Sequence, residues 1–353
     1  MTDFYALSDA EQAARLGTLA AAALTRWDGD FGEPELIKYR ENAVFSVRRS
    51  DGRRMAVRVH RHAYHSDEAL HSELFWMAAL GEVGIEVPPI VPAKDGSLFL
   101  RVSVDCVPEE RQVDMLGWLS GAPIGSSEGG LALDQAEAET LYHNAGTLAA
   151  QLHNHSTTMT LPGNFERHSW CEQGLLGDQP LWGCFWHLDR LTDGQRTLLL
   201  DARAHAMRDL AVIGKSADRF GMIHADFVPE NLLSDRGKLQ LIDFDDSGFG
   251  WHMFELATAL YFIVDEPNYG SLRDALFAGY RAARALSTAD LAALPLFLFL
   301  RGTTYLGWVQ TRAETQTAKE LGPFLVERTC RLAADYLAVD LSDRAQFYHQ
   351  LEG

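Results

Sequence analysis

The stretch that decides the fold is HADFVPENLL at 224–233, followed closely by LQLIDFDD at 239–246. Asp226 and Asn231 stand five residues apart in the first segment, and Asp243 lies in the second. The apolar residues on both sides of the intervening SDRGK predict two short strands joined by a tight turn. The three polar side chains are therefore expected at strand ends, where rigid backbone fixes their positions.

Asp226, Asn231 and Asp243 are residue types that suit phosphoryl transfer. The transition state carries its charge on phosphate oxygens, so catalysis depends on positioning and on positive charge. Asp226 is expected to be the catalytic base that receives the proton of an attacking hydroxyl. Asn231 and Asp243 offer hard oxygen ligands to Mg²⁺, which completes its shell with phosphates and water. A lone Asp in such a loop is ordinarily a turn or cap residue, but the whole pattern favours a site for ATP and Mg²⁺.

At these residues the chain resembles the aminoglycoside phosphotransferase and choline kinase superfamily, whose loop usually reads HGDxHxxN where this chain has HADFVPEN. The resemblance implies Asp226 as base, Asn231 and Asp243 as magnesium ligands, and His224 as a brace for the loop. Among the branches, the chain looks most like homoserine kinase type II, hydroxylysine kinase and the bacterial stress-response kinases. Ala225 and Val228 replace the common Gly and His, so the resemblance leaves the substrate type open.

The resemblance also implies the architecture. We expect an α+β, protein-kinase-like fold of two lobes: a small antiparallel sheet with one main helix, and a larger, mostly helical lobe. The expected division is an amino-terminal, nucleotide-binding lobe at 1–118 and a carboxy-terminal lobe at 119–353, which carries the hinge, the catalytic loop and the substrate region.

Three short strands are predicted in the amino-terminal lobe, at 36–39, 44–48 and 55–59, with Asp51-Gly52 marking the second turn. The first turn contains no glycine, although glycine usually lets backbone approach phosphate closely. Asn42 and Ser46 are candidates for contacting the phosphates, and the alternative is that they are plain turn and strand residues.

Arg58 occupies the third-strand position where protein kinases keep Lys. A guanidinium can bind phosphate oxygens with two parallel hydrogen bonds and stays charged at any working pH. Glu73, on a helix predicted from about 67 to 80, is its expected partner. The alternative is an ordinary surface ion pair, worth about 0–1 kcal/mol.

The hinge between the lobes is expected at Leu119-Ser120-Gly121, after a strand at 112–118, and Trp118 and Leu119 are candidate nucleotide-binding residues. Adenine would lie against its backbone, with Val57 above and Leu233 below, because flat apolar rings prefer apolar walls and a few backbone hydrogen bonds.

Helices are predicted through the rest of the chain, including one continuous helix at 288–313 that contains the apolar run LAALPLFLFL. This run is too short and too interrupted by Pro to span a bilayer, for which about 20 residues are needed. The substrate is expected to meet acidic, aromatic and basic side chains of this lobe, namely Asp245, Trp182, Trp186, Arg301, Tyr305 and Trp308. Arg301 would bind a substrate carboxylate, whereas Asp245 would bind an ammonium group; the alternative is that the aromatic residues are core.

Composition limits the remaining possibilities. A net charge of −18 over 353 residues argues against nucleic acid as a partner. The four cysteines show no metal or disulfide spacing, which favours a reducing cytoplasm. No membrane partner is indicated, and the oligomeric state is left open.

The sequence therefore predicts an ATP- and Mg²⁺-dependent phosphotransferase acting on a hydroxyl of a small molecule, such as a hydroxy amino acid, an amino alcohol or an aminoglycoside-like compound. The alternatives are a protein Ser/Thr kinase of the stress-response type and a catalytically silent nucleotide-binding module.

Overall fold

The computed structural model describes residues 4–126, 129–131 and 133–339. The chain divides into two compact units. The first contains the chain up to Ser120 together with Leu161–Glu166 and Gln240–Ile242. The second contains Gly121–Thr160, Arg167–Leu239 and the chain from Asp243 onward.

The first unit is built on an antiparallel sheet whose strand order is β1-β2-β3-β5-β4. The strands are β1 Glu35–Tyr39, β2 Ala43–Arg48, β3 Arg54–Val59, β4 Phe99–Val102 and β5 Arg111–Gly117. The β2–β3 turn falls at Asp51-Gly52 as predicted, and Gly52 has a φ of 86°, which glycine adopts without strain. Arg58 on β3 lies directly opposite Asp114 on β5.

Two helices accompany this sheet, α1 at Asp9–Leu24 and α2 at Asp67–Glu82. A capping box formed by Ser8 and Glu11 starts α1 and satisfies backbone donors that would otherwise be unpaired. Leu19 of α1 joins Phe45 and Val57 of the sheet in one apolar core. Removing such side chains from water is the main stabilising contribution to a unit of this kind.

The second unit is mostly helical. Its helices are α3 Gln135–Thr158, α4 Glu172–Leu176, α5 Asp193–Ile213, α6 His252–Tyr261, α7 Tyr269–Ala283, α8 Thr288–Ala292, α9 Leu294–Thr311 and α10 Gln316–Ala338. α3 and α7 approach closely because glycines face backbone at the contact: a Cβ on Gly146 would lie 1.9 Å from the carbonyl oxygen of Leu276.

Short strands in the second unit carry the loops of interest. β8 (Phe220–Ile223) pairs with β11 (Gly248–Trp251), which also pairs with β7 (Ser169–Trp170), and β9 (Leu232–Asp235) pairs with β6 (Ala122–Pro123). β9 continues into β10 (Lys238–Leu241) through Arg236-Gly237, both with positive φ. This is the tight turn predicted from SDRGK, because two successive positive φ angles suit a two-residue hairpin.

The α+β fold class predicted from the sequence is confirmed, with one correction to the helices. The single helix expected at 288–313 is two helices, α8 and α9, which meet at Ala293. Pro295, in the first turn of α9, has no backbone N–H, so the hydrogen-bond ladder cannot continue across this point. No helix in the described part of the chain is long and apolar enough to cross a membrane.

Candidate active site

The loop that follows β8 is held from below by a buried carboxylate. The backbone N–H groups of His224 and Ala225 donate to the two oxygens of Glu255, at 2.7 and 2.8 Å. Burial raises the pKa of Glu255, although these hydrogen bonds act in the opposite direction. Ala225 has a φ of 65°, a left-handed conformation that costs a residue with a side chain about 1 kcal/mol. The common Gly of the superfamily would avoid that cost.

Asp226 lies on this loop and is partly exposed, with 21% of its side chain accessible. The Nδ2 group of Asn231 donates to Oδ2 of Asp226 at 2.8 Å and to its carbonyl oxygen at 2.9 Å. Because both contacts use the nitrogen of the Asn231 amide, the oxygen on the opposite side of that amide is the atom available for a cation. The predicted base and one predicted metal ligand thus lie side by side.

Arg301 of α9 approaches Asp226 from the protein interior. Its Nη2 group donates to Oδ1 of Asp226 at 2.6 Å and to the hydroxyl of Tyr305 at 2.6 Å, while Nη1 donates to the carbonyl oxygen of Ala225 at 2.9 Å. The side chain is completely buried. The expectation that Arg301 binds a substrate carboxylate is not supported, because its side chain is buried and both Nη groups already donate to Asp226, Ala225 and Tyr305.

The second acidic segment brings three further carboxylates into the same unit. Asp243 is exposed and has a φ of 67°, and the buried ring of Phe244 packs edge-on against His224, 4.7 Å between centroids. Burial and then repulsion from Asp226, Asp245 and Asp243 raise the pKa of Asp246 well above its usual value. The segment therefore places further carboxyl groups close enough to Asp226 to interact with it electrostatically.

These carboxyl groups and the amide oxygen of Asn231 are donors that suit a divalent cation. Within the described ranges, no group of three or more His, Cys, Asp or Glu side chains is arranged to hold a metal by itself. Mg²⁺ does not require one, since it binds through one or two protein oxygens plus phosphates and water. Asn231 and Asp243 carry oxygen donors of this type, and their role as Mg²⁺ ligands stays a prediction.

Residues missed by the sequence reasoning hold the carbonyl groups of this acidic segment. Arg167 donates through Nε to the carbonyl oxygen of Ser247 at 2.6 Å, and Trp170 donates to that of Asp246 at 2.9 Å. Arg167 and Trp170 contact the segment that precedes β11, but they are far from it in sequence. The sequence alone therefore gives no sign of these contacts.

Trp182 and Tyr305 form an aromatic wall next to Arg301. Their ring centroids are 6.0 Å apart, and the guanidinium carbon of Arg301 lies 5.3 Å and 4.4 Å from the two centroids. The loop carrying Trp182 reaches α9 because two glycines meet there: a Cβ on Gly183 would lie 2.8 Å from the carbonyl oxygen of Gly307. Backbone contact thus sets the position of the wall.

The other two predicted wall residues have different neighbours. Trp186 packs against Phe185, and the guanidinium of Arg203 lies 4.4 Å from its centroid. Trp308 has the guanidinium of Arg312 5.4 Å from its ring. Neither of these contacts includes Asp226 or Arg301, and a substrate-binding role for Trp186 and Trp308 stays a prediction.

In the first unit, Arg58 and Glu73 are in contact, with 2.8 Å between Nη1 and Oε1. The sequence reasoning missed a second partner: Asp114 accepts from Nε at 2.9 Å and from Nη2 at 2.6 Å. His60 also approaches Asp114, at 2.9 Å. The cluster is buried, so it is not an ordinary surface pair, and Asp114 occupies the edge of the guanidinium formed by Nε and Nη2. Phosphate binding by Arg58 stays a prediction.

The other residues predicted to bind the nucleotide lie in different parts of the two units. Asn42 accepts from the backbone N–H of Arg61 at 3.0 Å, which ties the first turn to the end of β3. Ser46 is 2% exposed within β2, as expected for a plain strand residue. Val57 and Leu233 are buried in their own units, Leu119 follows β5, and the exposed Trp118 has the guanidinium of Arg54 3.6 Å from its ring.

An Asp and Asn pair on a tight loop, a second acidic segment and a small antiparallel sheet define a phosphotransferase of the kinase-like fold. The chain belongs to the APH phosphotransferase enzyme family, whose model matches residues 36–296. The family resemblance and the enzyme class predicted from the sequence are thereby confirmed.

Several relatives are similar over nearly the whole chain. Amicoumacin kinase of Bacillus subtilis (strain 168) is 23% identical over 311 residues, covering 85% of this chain and 86% of the relative. The structure of a microcompartment-associated aminopropanol kinase is 33% identical, with a TM-score of 0.79 over 91% of this chain and 97% of that one. Amicoumacin kinase hAmiN, solved with AMP-PNP, Ca²⁺ and Ami, is 20% identical with a TM-score of 0.74, covering 98% and 100% of the two chains. The last likeness supports the kinase-like fold.

Proposed function

We propose that this protein transfers the γ-phosphoryl group of ATP, with Mg²⁺, to the hydroxyl of a small alcohol that carries an amino group. The observation that carries the proposal is the environment of Asp226: an exposed carboxylate, oriented by Asn231 and surrounded by further carboxylates and an aromatic wall. The family supplies the phosphotransferase class.

Asp226 would accept the hydrogen bond of the acceptor hydroxyl and take its proton late in the transfer. The acceptor oxygen forms the new bond to the γ-phosphorus, the bond to the β–γ bridging oxygen breaks, and ADP leaves. Each oxygen of Asp226 accepts from one side chain, Oδ1 from Arg301 and Oδ2 from Asn231, which leaves lone pairs for the hydroxyl.

Asn231 and Asp243 are the residues that would hold the metal. Mg²⁺, when bound, would neutralise charge that develops on the phosphate oxygens. The amide nitrogen of Asn231 donates to Asp226, so its oxygen would be left to bind the cation. One side chain would thus position both the base and the metal. The exposed Asp243 would supply the carboxylate.

The acceptor class follows from charge and shape. Asp245 would attract a protonated amine, and the half-buried Trp182 and Tyr305 offer aromatic faces, which favour cations. A substrate carboxylate would meet this acidic group, while Arg301 is already engaged by the loop. An amino alcohol is therefore favoured over a hydroxy amino acid, in agreement with the 33% identity to an aminopropanol kinase.

The test is acceptor-dependent ADP release from a matched panel. 1-Amino-2-propanol is compared with propane-1,2-diol, which has a hydroxyl in place of the amine, and with threonine, which adds a carboxylate. We expect kcat/KM for the amino alcohol to exceed both others at least about 10-fold, equivalent to one interaction of about 1.4 kcal/mol. ADP release should disappear when Mg²⁺ is removed by a chelator.

Three results would count against the proposal. A preference for threonine would show that a carboxylate is recognised, and equal use of the diol would show that the amine is not. If neither these compounds nor larger amine-bearing alcohols stimulate ADP release, the acceptor class is wrong.

A further inference from the structure

We propose that Arg301 and Tyr305 form a positioning pair that fixes the orientation of the Asp226 carboxylate. This inference rests on the proposed role of Asp226 and adds residues that do not themselves take part in the chemistry. It assigns Arg301 to the base and not to the acceptor.

Each oxygen of the Asp226 carboxylate accepts a hydrogen bond from a different side chain. Nη2 of Arg301 donates to Oδ1 of Asp226 and Nδ2 of Asn231 donates to Oδ2. The terminal torsion of an aspartate is broad when nothing constrains it. With one donor on each oxygen the plane of the carboxylate is fixed, and its remaining lone pairs keep a constant direction.

Arg301 also fixes the backbone beneath this carboxylate. Nη1 donates to the carbonyl oxygen of Ala225, the residue in the left-handed conformation. One guanidinium therefore holds the main chain before Asp226 and the side chain of Asp226. A planar fork can do this with little loss of side-chain freedom, whereas an ammonium group provides only a point charge.

Tyr305 orients the guanidinium in turn. Its hydroxyl is 2.6 Å from Nη2 of Arg301, and its ring centroid is 4.4 Å from the guanidinium carbon. Desolvation raises the pKa of Tyr305, so the hydroxyl keeps its proton at working pH. Because Tyr305 also borders Trp182, the residue that steadies Arg301 is part of the wall where the acceptor is proposed to bind.

The burial of Arg301 argues for a role beyond packing. Its side chain is completely buried, and within the described residues its Nε atom has no hydrogen-bond partner. Burying a charge with an unsatisfied donor is costly, and apolar residues of similar volume often stabilise a protein more. A residue kept at such a cost next to the proposed base is typical of a functional site.

Arg328 provides a matched control on α10. It is also a buried arginine that pairs with a carboxylate, that of Asp265 at 2.8 Å, donates to a carbonyl oxygen, that of Tyr261 at 2.9 Å, and stacks 4.1 Å from the ring of Phe324. Its hydrogen bonds do not involve Asp226, so its replacement tests burial of a guanidinium alone.

The first experiment measures kinetics on the acceptor that the parent protein uses. Arg301→Lys should lower kcat about 10–100-fold, since a displacement of about 1 Å at a reacting group can cost that much, while the KM for the acceptor changes less than about 3-fold. Tyr305→Phe, which keeps the ring, should lower kcat about 3–10-fold. Arg328→Lys should leave kcat within about 2-fold. A rise in acceptor KM at unchanged kcat in Arg301→Lys would overturn the proposal and restore a substrate-binding role.

The second experiment needs no acceptor and separates this inference from the proposed function. Asp226→Asn is introduced into the parent and into Arg301→Met, and the melting temperatures of all four proteins are compared. Because Asp226→Asn removes the carboxylate that pairs with Arg301, it should change the melting temperature less favourably in the parent than in Arg301→Met. The two changes should differ by at least about 2 °C. Additive shifts would overturn the positioning pair even if the protein phosphorylates an amino alcohol, and coupled shifts would support it even if no acceptor is found.

Discussion

Arg58 in the first unit and Arg301 in the second are both buried and paired with carboxylates, but the carboxylates differ in their exposure to solvent. Arg58 donates to two carboxylates that are themselves completely buried, those of Asp114 and Glu73. Arg301 contacts one carboxylate, that of Asp226, which is 21% exposed. The first arrangement is a closed ion cluster, whereas the second opens to solvent at the carboxylate proposed to do chemistry.

The comparison teaches that burial of an arginine does not reveal its role, but the accessibility of its partner does. A carboxylate with no exposed surface cannot meet a substrate, so the cluster of Arg58 is expected to act chiefly on stability. An exposed carboxylate held by a buried arginine is expected to act chiefly on rate. Each half of this contrast can be tested separately.

The largest effect is expected at Asp226. Asp226→Asn keeps the size of the side chain and a hydrogen-bonding oxygen but removes the base, so turnover should fall about 10²–10⁴-fold while ATP binding is kept. Steady-state kinetics and calorimetric titration with ATP measure the two quantities. Asp265→Asn is the control, because Asp265 pairs with Arg328 and should leave turnover nearly unchanged. Activity of Asp226→Asn within a few fold of the parent would remove Asp226 from the mechanism.

The next effect concerns the closed cluster. Asp114→Asn leaves Arg58 buried with Glu73 as its carboxylate partner, and breaking a buried ion pair costs about 3–5 kcal/mol in unfolding free energy. Denaturant unfolding measures the loss, and Asp51→Asn, at an exposed pair with Arg53, should cost less than about 1 kcal/mol. If Asp114→Asn is as mild as Asp51→Asn, the two arginines do not differ in the way described.

The smallest effect concerns pH. His153 of α3 and His252, the first residue of α6, stack with 4.1 Å between their ring centroids, and burial lowers the pKa of both, with Arg284 acting in the same direction. Their neutral forms are favoured in the folded protein, so their contribution to stability is present above the unfolded value of about 6.5 and is lost as pH falls below it. The pKa of the neighbouring Glu255 is raised, so its contribution to stability changes with pH in the opposite direction and is lost as pH rises.

Comparison of variants isolates the histidine contribution. Between pH 7.5 and 5.5 the parent should lose more unfolding free energy than His252→Phe, by less than about 1.4 kcal/mol per pH unit, since one proton is involved. Glu255 is present in both proteins and cancels in the difference. His62→Phe, at an exposed position, is the control and should follow the parent. Parallel curves for the parent and His252→Phe would contradict the expectation.

Much of the fold could be predicted because local signals and periodicity agreed. Asp51-Gly52 marked the β2–β3 turn, and apolar residues around SDRGK marked the β9–β10 hairpin. The break at Pro295 was missed because the apolar run continues through it, although a proline in this context ends a hydrogen-bond ladder. Apolar composition alone does not locate such a break.

The site was predictable where its residues are close in sequence. Asp226 and Asn231 lie on one loop, so their spacing already implied their proximity, and Glu73 was found by its helical position relative to Arg58. Asp114, Glu255 and Arg167 were missed. They reach their partners across strand pairing or helix packing, at separations of 30 residues or more, and an isolated Asp, Glu or Arg carries no local mark of this.

The contact of Gly183 with Gly307 has a consequence for how acceptor range can change. Because this wall is placed by main chain lying on main chain, Trp182 and Tyr305 can be exchanged for other side chains without disturbing the scaffold that presents them. Any side chain on either glycine would instead push the two segments apart. We therefore expect a change of acceptor to come from substitutions at Trp182 and Tyr305, while Gly183 and Gly307 stay the same.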